Sequence, residues 1–284
     1  MSENNVSIDA LMPVEMAQKA EAVGVKKAGL AFWPMFALAV LAGAFIAIGA
    51  IFSTTVIAGT SALPYGVVRL LAGVTFSTGL ILVIVGGAEL FTGNNLIIMA
   101  YTNKKITLIQ LLRNWLIVYA GNFVGSIMTA VIVFLSKQYT FGNGAIGLTV
   151  LNIAKSKTSL DFFQALALGI MCNPLVCMAV WLCFSARSTT DKILSIILPI
   201  STFVAAGFEH SIANMYFIPI GLFVKGSGNT AFFEMIQKTP ADFPSITWLN
   251  FINNLIPVTI GNIIGGGIMV GLVYWFIFLK NKKQ

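Results

Sequence analysis

Two stretches of this chain are apolar, longer than a bilayer is thick, and charged near their centres. Residues 70–103 carry no charge except Glu89, and residues 193–224 none except Glu209, which is followed by the only histidine, His210. A continuous helix of either length would reach roughly 50 Å at 1.5 Å per residue, against a hydrocarbon core of ~30 Å. Each stretch must tilt strongly, stop early or break. Both carry the same local pattern, Gly-x-Glu-x-x-x-x-Asn, as Gly87 to Asn94 and as Gly207 to Asn214. Glycine permits the sharp turn that a break needs. Ionisable groups at membrane depth are costly and are read as functional by default.

The remainder of the chain has the composition of a membrane protein. It is 57% hydrophobic and only 10% charged, where a soluble domain holds roughly 25% charged residues. Four further apolar runs, 30–58, 107–136, 162–186 and 249–279, bring the count to six passes, so both termini lie on one side. On that basis eleven of the 17 Lys and Arg residues lie on the side of the termini. The positive-inside rule then makes the termini cytoplasmic and the protein a multi-pass protein of the inner (plasma) membrane. The net charge of +7 reflects this topology rather than a nucleic-acid partner. Cys172, Cys177 and Cys183 share one apolar run, which excludes a disulfide framework, and a lone histidine excludes a structural zinc site. No cofactor is expected. Residues 1–28 read as a cytoplasmic amphipathic segment with Pro13 in the first turn of a helix. Residues 29–279 read as the transmembrane domain, with halves of about 29–136 and 162–279, and 280–284 as a cytoplasmic tail.

The repetition extends beyond the two glutamates. Asn114, Gly121, Asn122 and Gly125 in the third run match Asn254, Gly261, Asn262 and Gly265 in the sixth. Two motif pairs in the same order imply two three-span halves, and an odd span count inverts one half relative to the other. The fold class is an all-α membrane protein built from two inverted three-helix repeats, with spans 2 and 5 broken. Broken helices in equivalent halves mark a transport site near the midplane. Unwound backbone survives there only inside protein or against water. The positive ends of two half-helices facing one cavity favour an anion. Glu89 and Glu209 are expected to shape their loops by accepting backbone N–H groups, while Asn94 and Asn214 satisfy freed backbone groups. His210 is the candidate titratable centre, and Thr92 in the sister loop offers a hydroxyl to bond its ring or the substrate. Phe76, Leu80, Phe91 and Phe203 are candidates for apolar constrictions. Trp33, Trp115, Trp181, Trp248 and Trp275 are expected in an interfacial aromatic belt, and the glycines from Gly261 to Gly271 in close helix packing.

These residues resemble the formate/nitrite transporter family over about residues 9–279. The resemblance rests on Gly87 to Thr92, on Gly207 to Met215, on Cys172-Asn173, and on Asn253 to Asn262. The sixth-span motif is similar to the formate-channel branch. Thr92-Gly93-Asn94 looks more like the nitrite branch, and Pro174 stands where the family carries a bulky apolar residue. The resemblance implies an aquaporin-like six-helix protomer, a homopentamer in membrane lipid and one pore per protomer. It implies His210 and Thr92 at the centre, Lys157 in the vestibule, Asn173 lining the pore, and Phe76, Leu80, Phe91 and Phe203 as constrictions. Lys155, two residues from Lys157, is an alternative vestibule lysine.

The function expected is transport of small monovalent anions, formate first, by a pH-dependent channel or a proton-coupled mechanism with a central histidine. Nitrite or hydrosulfide is the alternative substrate. A bare anion crosses an apolar ring at great cost, so the logic is to neutralise it by a proton. His210 is the one side chain with an unperturbed pKa near ~6.5. An intramembrane enzyme is not expected, because no nucleophile or metal constellation accompanies Glu209 and His210.

Overall fold

The computed structural model describes residues 10–60 and 62–280. Residues 1–9 of the N-terminal segment, the turn residue Ser61, and 281–284 of the tail lie outside the described residues. Among the described residues every regular element is helical, and six helices are long and apolar enough to cross a membrane. The chain is a multi-pass membrane protein.

The order begins with α1 (Pro13–Ala28), an amphipathic helix with Pro13 at its first position. The first span, α2 (Phe32–Ile57), follows at once. The second apolar run is not one helix. It comprises α3 (Tyr65–Gly86), a non-helical turn, a 3-10 turn over Gly93–Ile97, and the short α4 (Ile98–Thr102). The third span is α5 (Leu108–Leu135), started by a capping box in which Thr107 accepts the Gln110 N–H. The connector at 137–161 contains a helix, α6 (Ala145–Thr158). The fourth span is α7 (Phe162–Ser185). The fifth run divides into α8 (Thr189–Ala206) and α9 (Ser211–Lys225). After the short α10 (Thr230–Met235), the sixth span runs as α11 (Trp248–Asn262), a π-helical stretch over Ile263–Leu272, and α12 (Val273–Phe278).

Both long runs stop at a glycine. Gly87 and Gly207 take φ of +79° and +78°, the left-handed region that closes a helix and that a side chain would strain. α2 packs on α3 and α5, as α7 packs on α8 and α11, and α3 against α8 joins the halves. Backbones touch at equivalent points. A Cβ on Gly125 would lie 1.9 Å from the Val40 carbonyl oxygen, and one on Gly265 would lie 2.3 Å from that of Ile170. The glycines of the last span therefore pack within the subunit. α7 continues through Pro174, whose ring faces the bare backbone of Gly265.

The outer surface is apolar. Trp33, Ile109, Leu116, Leu135, Phe163 and Leu198 are all at least 70% exposed, as a lipid-facing or subunit-facing belt requires. Two of the expected belt tryptophans are elsewhere. Trp181 is buried against Tyr274. Trp115 turns inward and donates its indole N–H to the Asn94 carbonyl oxygen at 2.9 Å. Position near a span end does not decide which face a side chain occupies. The half-buried Trp115 has its indole N–H satisfied by that carbonyl.

Candidate functional site

The two breaks are built from the same parts. In the first, the Lys27 ammonium lies 3.1 Å from the Glu89 carboxylate. Asn94 donates its amide to Glu89 at 2.7 Å and to Asn114 at 3.0 Å, and Asn114 donates to the Lys27 carbonyl at 3.2 Å. In the second, the Lys157 ammonium lies 2.8 Å from Glu209. Asn214 donates to Glu209 at 2.6 Å and to Asn254 at 2.7 Å, and Asn254 donates to the Lys157 carbonyl at 2.9 Å. Lys27 on α1 and Lys157 on α6 are thus counterparts, so the repeat unit includes a helix before each first span.

This geometry corrects the expected partners of the glutamates. The carboxylates accept from lysine and asparagine side chains, Glu209 also from Asn254 at 3.5 Å, not from backbone N–H groups of their loops. The freed backbone is held by other residues. Asn122 accepts the Phe91 N–H at 2.9 Å and donates to the Ala39 and Glu89 carbonyls. Asn262 accepts the Ser211 N–H at 2.9 Å and donates to the Gly169 and Glu209 carbonyls. Glu89 and Glu209 donate their own N–H groups to the Leu38 and Leu168 carbonyls. Asn94 and Asn214 therefore hold the carboxylates, while Asn122 and Asn262 hold the backbone. A buried carboxylate at 5% exposure survives because both an ammonium and an amide donor reach it.

Between the breaks the symmetry ends in a polar knot. His210 caps α9: its Nδ1 accepts the Ala213 N–H at 3.1 Å. Its Nε2 is 3.0 Å from the Thr92 hydroxyl. An Nδ1 that accepts carries no proton, so the neutral ring bears its hydrogen on Nε2 and donates it to Thr92. Asn173 donates toward the carbonyls of Asn262 (2.7 Å) and Thr92 (3.3 Å) and the side-chain oxygen of Asn95 (3.0 Å). Thr92, Asn173 and His210 are all at most 2% exposed. The π-helical stretch begins directly after Asn262, whose carbonyl is engaged by Asn173. Insertion of a side chain into the helical ladder is a recognised cause of such local rewinding.

Two cavities flank the knot. One, of about 190 Å³, is lined by Lys27, Leu80, Val83, Glu89 and Leu90 among others. The other, of about 340 Å³, is lined by Arg69, Phe76, Lys157, Phe203, Glu209 and His210 among others. Phe76 and Phe203 meet edge to face at 5.7 Å, and Phe203 stacks on His210 at 5.8 Å. Phe76 and Phe203 line the second cavity and Leu80 the first. Phe91 does not line either cavity. It packs edge to face on Tyr119 and Trp115, and the neighbouring Leu90 faces the first cavity instead. Lys157, not Lys155, faces the second cavity. Lys155 reaches the Asp242 carbonyl and the Phe243 ring on the loop side.

Sequence reasoning missed Lys27, Leu90, Asn95, Arg69 and the roles of Asn122 and Asn262. The repeated Asn-x6-Gly-Asn spacing carried the signal for the two asparagines. A lysine required before each first span would have found Lys27.

Residues 14–276 match the formate/nitrite transporter family. The formate channel FocA of Escherichia coli (strain K12) is 46% identical over 277 residues, covering 97% of this chain and 97% of the relative. A probable formate transporter of Methanothermobacter thermautotrophicus is 35% identical, covering 94% of this chain and 97% of that one. A solved pentameric formate channel with formate bound has a TM-score of 0.84 at 47% identity, covering 88% of this chain and 98% of that one. This protein belongs to the formate/nitrite transporter family.

Proposed function

We propose that the protein is a channel for small monovalent anions, with formate as its principal substrate, working as a homopentamer with one path per subunit. In this reading it lies in the inner membrane with both termini cytoplasmic, so the Lys27 cavity is the cytoplasmic vestibule and the Lys157 cavity the outer one. The observation that carries the reading is the buried His210–Thr92 contact between two lysine-bearing cavities. The 46% identical FocA is a formate channel by name, and formate fits both cavities.

The chemistry follows from the apolar collar. Formate enters as an anion and meets Phe76 and Phe203. A carboxylic acid of pKa near ~4 is about one part in a thousand neutral at pH 7. The neutral acid crosses the collar at far lower cost than the anion. Lys157 offers ammonium hydrogens at the mouth. His210 offers its Nε2–H at the waist, shared with Thr92. For His210 to act as a proton source the ring must be doubly protonated, which forfeits the Ala213 cap. Losing a cap costs about 1 kcal/mol, and burying the charged ring costs more, so the ring charges at least expense when the anion is beside it to pair. Asn173 holds the Thr92 and Asn262 carbonyls in place around the ring.

The test is flux through purified protein in liposomes, comparing formate, nitrite, hydrosulfide and lactate across pH. Formate flux is expected to rise as the pH falls. His210→Ala is expected to flatten or reshape that profile while the oligomer stays intact. Wild-type-like formate flux at every pH in this variant would defeat the role of the ring. Faster nitrite or hydrosulfide than formate would move the substrate to the branch that Thr92-Gly93 resembles.

A further inference from the structure

The charges lining the two vestibules do not balance in the same way. In the cytoplasmic vestibule the charged lining residues are Lys27 and Glu89, which pair at 3.1 Å. In the outer one they are Lys157, Glu209 and Arg69. Lys157 pairs with Glu209 at 2.8 Å, so its charge is matched on the spot. Among the described residues no carboxylate lies within ion-pair distance of Arg69. The lysine–glutamate pairs can shape and orient, but as neutral units they provide little long-range attraction.

Arg69, early in α3, is half-buried. It donates through Nε to the Ala205 carbonyl at 3.2 Å and through Nη2 to the Val204 carbonyl. These are last-turn carbonyls of α8, immediately before the break at Gly207. A helix C-terminus carries about half a negative charge, which would otherwise face the anion path. The guanidinium has five N–H groups, and its contacts to α8 use two. The rest are free for the cavity that it lines. At the equivalent position in the other half, α8 begins with an uncharged Thr189.

Building on the anion-channel reading, we propose that Arg69 is the anion-attracting residue of the outer vestibule. It cancels the negative end of α8 and leaves the outer cavity with two lining cations against one lining carboxylate, where the inner cavity has one of each. Its class of ligand is any small monovalent oxyanion or similar anion arriving from outside. Lys157 then receives an anion that Arg69 has drawn in. The vestibules differ in capture although their lysine–glutamate pairs match.

The experiment is uptake and release of formate by the full-length protein in liposomes with the outer face accessible, over a range of concentrations and ionic strengths. One unit charge at about 4 Å in a watery vestibule is worth about 1 kcal/mol, roughly a fivefold effect. Arg69→Gln is expected to raise the half-saturating concentration for outside-to-inside flux by about that factor, and to leave the inside-to-outside value nearly unchanged. Arg69→Lys is expected to restore most of the loss. In the wild type, salt is expected to weaken half-saturation on the outer face more than on the inner face, and Arg69→Gln to remove that difference. A role confined to clamping α8 would not move the salt dependence. Unchanged outer half-saturation in Arg69→Gln, or equal salt sensitivity on both faces of the wild type, overturns the proposal. The wild-type salt comparison decides the matter even where Arg69→Gln fails to assemble. A wild type that passes formate beside an indistinguishable variant overturns this inference alone. A wild type that passes no small anion overturns the channel reading with it.

Discussion

The break at Glu89 and the break at Glu209 share a lysine, a glutamate and two asparagines in the same bonding order. They differ in what fills the space around that frame. Where one half has Leu90, the other has His210. Where one pairs Gly43 with Ser126, the other pairs Asn173 with Gly266. The Ser126 hydroxyl reaches the Gly43 carbonyl at 3.3 Å, and the Asn173 amide fills the room that Gly266 leaves. The frame maintains a break at membrane depth. The exchanges convert one copy of it into a polar waist. The lysines differ too. Lys27 also bonds the Asn94 side-chain oxygen at 2.8 Å, whereas the equivalent oxygen of Asn214 is buried without a partner.

The largest expected effect separates the two glutamates. Glu209→Ala removes the acceptor for a Lys157 side chain that is only 15% exposed. Breaking a buried pair in this way costs about 3–5 kcal/mol. Glu89→Ala should cost roughly half as much, because Lys27 is 27% exposed and keeps its bond to Asn94. Thermal unfolding of the detergent-solubilised oligomer orders the two variants, and equal losses would break the comparison at its base.

A middle-sized effect is expected where the halves have exchanged residues. A Cβ on Gly266 would lie 2.2 Å from the Asn173 amide nitrogen and 2.8 Å from the Cys177 sulfur. Gly266→Ser should therefore destabilise by about 1–3 kcal/mol through overpacking. Adding Asn173→Gly recreates the pairing of the first half and should recover part of that loss. Additive losses in the double variant would show that the exchange is not a coupled one.

The smallest effect is at Thr92. Thr92→Val keeps the shape and removes the hydroxyl from the His210 ring, for a stability change of about 1 kcal/mol. Its sharper readout is the pH profile of formate flux, which should shift in the same sense as that of His210→Ala. A shift in the opposite sense would detach Thr92 from the ring.

Much of this architecture was legible in the sequence for a physical reason. A carboxylate or an imidazole in a bilayer-length apolar run has few acceptable surroundings, so Glu89, Glu209 and His210 announced both breaks. The doubled asparagine spacing exposed the inverted repeat for the same reason. Lys27 was not legible because it sits on a polar helix among other lysines, where charge is cheap and carries no signal. Arg69 lies at a span end, where a cation is ordinary. Phe91 and Leu90 exchanged places because a non-helical turn has no periodicity from which to read a facing side. Trp115 and Trp181 were misplaced because depth in the membrane says nothing about rotation about a helix axis.

The placement of each lysine before its glutamate also orders events on the ribosome. Chains are made from the N-terminus at about 5–20 residues per second, so Lys27 and α1 exist before Glu89 leaves the ribosome. Lys157 and α6 likewise exist before Glu209. Each carboxylate enters the bilayer with its cation already synthesised upstream, and no half has to store an unpaired charge while awaiting a later segment. Reversing that order, by circular permutation between Lys27 and Glu89, would leave the finished contacts available and remove only the head start.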